Sequence, residues 1–239
     1  MERIHKQIII AVIFAVIIFS LIGLFHFLFP NKQEDHQTSP PSDLQPIQVL
    51  WADSVPSEKN FYDAVCKIKY LNQNYGAKNI YYTFLYYDNK NNLIKQRKGS
   101  TYIFPNRTKY IIEQRIDSSF EIARTVCKID KVNWKKPENQ IPLLYIRQKE
   151  YHYYNKNLSE AKGIVVNNSP YGFDKIDVNV ILFDFRGNLL GARKHEIRTL
   201  LSKGERHFVV SWNYPLKSKV TNVEMIAETN IFDDQNYIR

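Results

Sequence analysis

The sequence predicts an all-β protein in which two tandem β-sandwiches of like construction follow one N-terminal transmembrane helix. Three observations carry this. An apolar run of 22 residues without a formal charge, Ile8 to Phe29, lies near the N-terminus. The rest of the chain matches itself when slid by 96 residues. Each copy shows short apolar or alternating runs broken at turn residues, with no sustained helical period.

The apolar run comes first. About 20 apolar residues in a helix cross the hydrocarbon core of a bilayer. A cleaved signal peptide has a shorter apolar core followed by a small-residue cleavage site; here the run ends in Phe29-Pro30 with no such pattern. The expectation is therefore an uncleaved anchor. Arg3 and Lys6 precede it, and basic residues stay cytoplasmic. Residues 1–7 are thus expected inside, 8–29 in the membrane and the remainder outside. Residues 30–45 are polar, carry Pro and Ser and lack periodicity, which reads as a linker.

The chain has a formal net charge of +9. Residues 1–42 contribute none of it, with three basic and three acidic side chains. The charge lies on the two copies, 16 basic against 10 acidic over 43–139 and 14 against 11 over 140–239. A basic surface favours anionic neighbours such as phospholipid headgroups or acidic wall polymers. The charges are scattered, with no run of five or six, so no nucleic-acid partner is expected.

The repeat sets the domain plan. Pro46 aligns with Pro142, Ile68 with Ile164, Asn72 with Asn168, Tyr75-Gly76 with Tyr171-Gly172 and Ile80 with Ile176. Asp88 aligns with Asp184, Asn92-Leu93 with Asn188-Leu189 and Arg97-Lys98 with Arg193-Lys194. That is 11 identities in 53 positions, where chance gives about 3. Further on the register slips by one, so that Val126 meets Val223 and Ile129 meets Ile226. Two domains are expected, 46–138 and 139–235, meeting near Pro137–Pro142.

Within a copy, Ile47 to Trp51 opens the first strand. Ala64, Cys66, Ile68 and Tyr70 alternate with Lys67 and Lys69, a strand with one wet face. Ile80 to Tyr87 is a continuous aromatic and β-branched run, the mark of a central strand buried on both sides. Asp88 to Asn92 is turn chemistry, and so is Asp184 to Asn188 with its Gly-Asn pair. Thr101–Phe104, Lys109–Arg115 and Ala123–Trp134 complete about seven strands. Seven strands in about 95 residues predict a sandwich of immunoglobulin or fibronectin type.

These residues also carry a family resemblance. Gly163 to Ser169 (GIVVNNS), Val180 to Asp184 (VILFD), Gly187 to Leu190 (GNLL) and Lys203-Gly204-Glu205 before Phe208 resemble the FxLYD domain, a bacterial immunoglobulin-like module. The first copy writes its hallmark as Phe84-Leu85-Tyr86-Tyr87-Asp88. That copy lacks the leading Gly-x-x-x-Asn and has Asn106-Arg107-Thr108 in place of Lys-Gly-Glu, so it is the more divergent. The layout of anchor and two modules also resembles uncharacterised membrane proteins of small host-dependent bacteria. The resemblance implies a cell-envelope location and the immunoglobulin-like fold, and it supplies no catalytic residues to transfer.

Chemistry-bearing residues are few. The six histidines show no metal-ligand spacing, and the chain has no nucleophile elbow, phosphate-binding loop or dinucleotide fingerprint. No cofactor and no enzymatic activity are expected. Asp88 and Asp184 sit at strand-to-turn junctions, where an Asp accepts hydrogen bonds from turn amides. Tyr151, His152, Tyr153 and Tyr154 form an aromatic run at a strand end or loop near the domain junction. Four consecutive aromatic side chains do not all point into one sandwich, so part of the run is expected as contact surface. Cys66 and Cys127 are expected on facing inner surfaces of domain 1, where immunoglobulin-like sandwiches often carry a bridge. Such a disulfide would stabilise the fold by roughly 4 kcal/mol. The repeat places Lys162 and Glu224 at the matching positions of domain 2, as an expected ion pair. The functional expectation is an envelope interaction protein that binds a protein partner, or itself; the first alternative is a binder of acidic wall polymer or glycan, and the second is an enzyme.

Overall fold

The computed structural model describes residues 44–238. The expected cytoplasmic segment, membrane span and nearly all of the linker lie outside the described residues. Gln45, the end of that linker, is held: its N–H donates to Asn72 Oδ1 (3.1 Å) and its carbonyl accepts from Asn72 Nδ2 (2.9 Å).

The described chain is all-β, built from antiparallel sheets. The first half holds β1 (Gln48–Glu58), β2 (Phe61–Tyr70), β3 (Gly76–Tyr87), β4 (Leu93–Ile103), β5 (Arg107–Asp117) and β6 (Arg124–Lys135). The second holds β7 (Leu144–Asn155), β8 (Leu158–Asn167), β9 (Gly172–Phe183), β10 (Leu189–Leu200), β11 (Glu205–Trp212) and β12 (Asn222–Glu228). A 3₁₀ turn, Asp234–Asn236, leads into the short β13 (Tyr237–Ile238), which pairs with β9, so the sheet runs on past residue 235. Each half has six long strands where sequence pattern suggested about seven short ones. Thr101–Phe104 is not a strand of its own; Thr101 to Ile103 form the end of β4, which the polar stretch Lys95–Ser100 had hidden, and Phe104 lies just past it.

Four sheets result. Sheet I is ordered β4-β3-β6, sheet II β1-β2-β5, sheet III β10-β9-β12 with β13, and sheet IV β11-β8-β7. The strand order of the first half recurs in the second. Sheets I and II close on a core of Ala64, Cys66, Ile68 and Tyr70 against Ile80, Tyr82, Phe84 and Tyr86. Sheets III and IV close on Ala161, Val165 and Phe208 against Ile176, Val178, Val180 and Leu182. Burying such apolar faces is the main driving force for both.

The two halves are not joined only at the 136–143 connection. A third apolar cluster unites Val55, Val65 and Tyr110 of sheet II with Ile181, Phe183, Leu189 and Ala192 of sheet III. The order of layers is therefore I–II–III–IV, and the two middle sheets are covered on both faces. Strand β10 touches β1, β2 and β5 in turn, so it runs across the strands of sheet II rather than along them.

This layering corrects one strand expectation. In β9, Val178 to Phe183 are all buried, as a central strand buried on both sides requires. In β3 of the outermost sheet I, burial alternates, and Tyr81 is 41% exposed. The run Ile80–Tyr87 looked doubly buried because its outward members, Tyr81, Thr83, Leu85 and Tyr87, are themselves aromatic, aliphatic or β-branched; Arg124 covers the ring of Tyr87 at 3.9 Å.

Candidate functional site

The repeated Asp has the same structural task in both halves. Asp184 Oδ1 accepts from the N–H groups of Arg186 (2.8 Å) and Asn188 (2.9 Å), and Oδ2 accepts from Asn188 Nδ2 (2.9 Å). Asp88 repeats this with Lys90 (2.9 Å), Asn92 (2.8 Å) and Asn92 Nδ2 (3.0 Å). The side-chain bond from the Asn, with help from the turn N–H groups, holds both carboxyls below their ordinary range. The fourth turn residue is left-handed, Asn91 at φ 65° and Gly187 at φ 80°, which suits Asn and Gly. These carboxylates close hairpins and do not face one another as a pair.

Cys66 and Cys127 meet in the core of the first half. Cys66 lies in β2 opposite Ile111, Cys127 in β6 opposite Phe84, so they come from the two facing sheets. Both are buried thiols. The hydrogen bond between them, together with burial, pushes the Cys66 thiol well up, so it stays protonated and a poor nucleophile.

The counterparts in the second half are not Lys162 and Glu224. Lys162 points out of sheet IV and pairs with Glu150 (3.1 Å). Glu224 accepts from the Tyr110 hydroxyl (2.8 Å), across to the other half. The inward positions are Gly163, opposite Phe208, and Met225, opposite Val180. The reason is register. The loop before β9 is one residue shorter than the loop before β3, so β2 and β8 align at 97, and the Ile68–Ile164 identity is a coincidence. Val165 is the inward partner position of Ile68. A Cβ at Gly163 would lie 2.8 Å from Ile146 Cγ2 and 3.1 Å from Phe208 Cε1, so no side chain fits where Cys66 stands in the first half.

The aromatic run is the C-terminal part of strand β7, not a loop. It lies seven or more residues along the strand from the connection between the halves. Alternation separates its members. Tyr151 packs on the core of the second half. His152 and Tyr154 share the outer face of sheet IV, with ring centroids 6.1 Å apart. His152 Nε2 lies 2.8 Å from Glu150 Oε2, and the Tyr154 hydroxyl donates to Glu160 (3.2 Å). Tyr153 and Tyr154 are 65% and 56% exposed. Strand β7 ends its sheet, so among the described residues its outer edge has no neighbouring strand in that sheet.

Sequence reasoning missed the residues that join the halves. Asp63 is fully buried in β2, opposite a bulge at Gln114–Arg115. Its Oδ1 accepts from the N–H of Arg115 (3.0 Å), which sits at φ 53°. Its Oδ2 takes an ion pair from Arg193 of β10 and a bond from the Tyr214 hydroxyl (3.5 Å). Lys109, nearly buried, pairs with Glu228 (2.6 Å), which also accepts from Asn179 Nδ2 (2.8 Å). The one available signal was an acidic residue within the apolar stretch FYDAV, at an outward position where a wet face was expected.

No protein-family model and no curated protein matches this chain. Among solved structures, a red sea bream transglutaminase is similar at 12% identity and TM-score 0.26, over 77% of this chain and 29% of that one. An Amycolatopsis orientalis exo-chitosanase, CsxA, gives 8% and 0.20, over 72% and 26%. A glycosyl hydrolase family 2 member of Bacteroides cellulosilyticus gives 9% and 0.21, over 69% and 26%. The chain spans under a third of each of these proteins, and likenesses of this strength carry no argument about its function.

Proposed function

We propose that this chain is a membrane-anchored, extracytoplasmic protein of the bacterial cell envelope, whose paired immunoglobulin-like sandwiches of FxLYD type hold a protein partner. The observation that carries the binding role is the exposed aromatic end of β7, where Tyr153 and Tyr154 stand open at the unpaired edge of the outermost sheet. Exposed tyrosines are favoured in protein interfaces, and a free strand edge can accept an added strand. The apolar run 8–29, with Arg3 and Lys6 before it, supports the anchor and its orientation. In a compartment outside the membrane disulfides persist, and Cys66 and Cys127 would then be joined.

The test is capture from envelope extract by the full chain, repeated with Tyr153→Ser/Tyr154→Ser and across a salt titration. The expected result is a defined partner retained at high salt and lost in the double variant. Capture that falls steeply with salt and ignores the two tyrosines would point to the acidic wall polymer instead. Protease added to sealed cells tests the topology: residues 44–238 should be digested, and protection would contradict the outside placement.

A further inference from the structure

Within the chain, the outer face of sheet II is docked on the outer face of sheet III. By the repeat, sheet I is the counterpart of sheet III, and sheet IV is the counterpart of sheet II. The molecule therefore carries a second pair of such faces, on its first and last layers. Among the described residues no sheet covers either of them. These two faces cannot meet within one copy, because sheets II and III stand between them. They can meet between copies.

The free face of sheet I keeps the apolar character of its docked counterpart. Ile181, Phe183 and Leu189 of sheet III pack towards sheet II. The residues 96 positions earlier are Leu85, Tyr87 and Leu93. Leu93 is 52% exposed, and Tyr81 on the same face is 41% exposed. Cations flank this spine. Lys98 and Lys128 lie opposite Thr83, Lys131 opposite Tyr81 and Arg124 opposite Tyr87. In sheet III the places of Arg124, Lys128 and Lys131 are taken by Asn222, Ile226 and Glu228, so these three cations belong to the free face alone. Asp130 is the acid among them, and it is held by the Thr83 hydroxyl (2.6 Å) and Lys128 (3.8 Å). The face is apolar at its centre and basic around it.

The outer face of sheet IV has the opposite sign. It carries Glu150, Glu160 and Glu205 against Arg147 and Lys162, and both of those bases are already paired, with Glu205 and with Glu150. It exposes Tyr145 and Val209, with Ile164 on the strand between them. The counterparts of Val55, Val65 and Tyr110, 97 residues on, are His152, Lys162 and His207. A purely apolar mate therefore does not suit this face. A sheet that brings aromatic rings together with positive charge does, and complementary fields of this kind fix partner and register.

We propose that copies of this chain associate head to tail, the outer face of sheet I of one copy lying on the outer face of sheet IV of the next, as sheet III lies on sheet II inside each copy. Such a contact is heterologous. It leaves a free face at each end, so it extends beyond a dimer unless a ring closes. It goes beyond the partner surface at β7, because it uses the faces of the outer sheets rather than a strand edge and needs neither the anchor nor Tyr153.

The test is photo-crosslinking of the full chain in detergent, with p-benzoylphenylalanine placed at position 81 in place of Tyr81. Equal amounts of ordinary and nitrogen-15-labelled protein are mixed, so mass spectrometry separates links between copies from links within one. The expected result is mixed-label links from position 81 to β7, β8 or β11, with crosslinked species larger than a dimer. Lys128→Glu/Lys131→Glu on one face and Val209→Lys on the other reverse or oppose the attraction at exposed positions, where the fold is unaffected. Each should lower the yield of these links at least about tenfold. The absence of mixed-label links overturns the proposal, and a wall polymer or lipid surface as the occupant of sheet I would give that result. Links to β1–β6 of the second copy overturn it too, since they would mean a two-fold contact of sheet I with itself. So does a yield that either variant leaves unchanged. Both variants keep Tyr153 and Tyr154, so capture of an envelope partner through those residues stands or falls separately.

Discussion

At Asp184 and Asp88 one side chain organises a whole turn, and pH should report it. Both carboxyls sit below their ordinary range in the folded chain. They therefore favour folding at every pH above the ordinary value near 3.8, and that contribution is lost as pH falls through the lowered folded value. Thermal denaturation followed from pH 6 down to about 2 should show the midpoint falling mainly below the ordinary value, and Asp184→Ala should lower the midpoint at neutral pH and flatten that fall. The left-handed residue makes a second prediction. Gly187→Ala should cost about 1 kcal/mol, whereas Asn91→Gly should leave stability unchanged or raise it; urea titration measures both. The turn itself was legible in sequence, since Asp-x-x-x-Asn is written twice. Cys66 and Cys127 were legible as a facing pair, because alternation alone put both inward. Protein extracted under denaturing conditions with thiols trapped should show neither free; two reactive thiols would sink the bridge. The counterpart Gly163 was not legible, because a chance isoleucine identity concealed a one-residue change in loop length; Met225 was not, because β6 carries an extra residue at Asp130 that β12 lacks, so the Val126–Val223 match sits one residue out of register.

At the scale of elements, the contact between sheets II and III sets what was readable. The reading of a doubly buried strand, made on Ile80–Tyr87, holds for the counterpart β9, because sheets II and IV cover the two faces of sheet III. For β3 itself it is half right, since among the described residues no further sheet covers the outer face of sheet I. A period-two pattern reports one covered face; a second covered face shows only as loss of alternation, which exposed aromatics imitate. The polar residues of the contact were illegible for a different reason. Asp63 and Arg193 look like surface charges until the facing sheet removes water from them. Asp63→Ala leaves the half-buried Arg193 guanidinium without its carboxylate and the Arg115 N–H without its acceptor, and should cost about 3–5 kcal/mol in chemical denaturation. Arg193→Met combined with Asp63→Leu should recover part of that loss, since no buried charge is then stranded and only the Arg115 N–H stays without its acceptor. Substituting Tyr153 or Tyr154 by Ser, by contrast, should change stability by no more than about 0.5 kcal/mol. A larger loss would make those tyrosines structural and weaken their assignment to a partner.

For the whole molecule, the central claim is that the duplicated halves behave as one body. The sequence announces two domains that meet near Pro137–Pro142, and on that basis alone they would move as beads on a string. The apolar cluster of Val55, Val65 and Tyr110 with Ile181, Phe183 and Leu189, flanked by the Asp63–Arg193 and Lys109–Glu228 pairs, argues otherwise. The proposed β7 surface depends on this, because a fixed body presents that edge in one orientation. Residual dipolar couplings measured on the backbone amides of residues 44–238 test it most directly. A single alignment tensor fitting β1–β6 and β7–β12 together, with the relative orientation seen here, is the predicted result. Two tensors of different magnitude or direction would mean independently moving halves and would contradict the account.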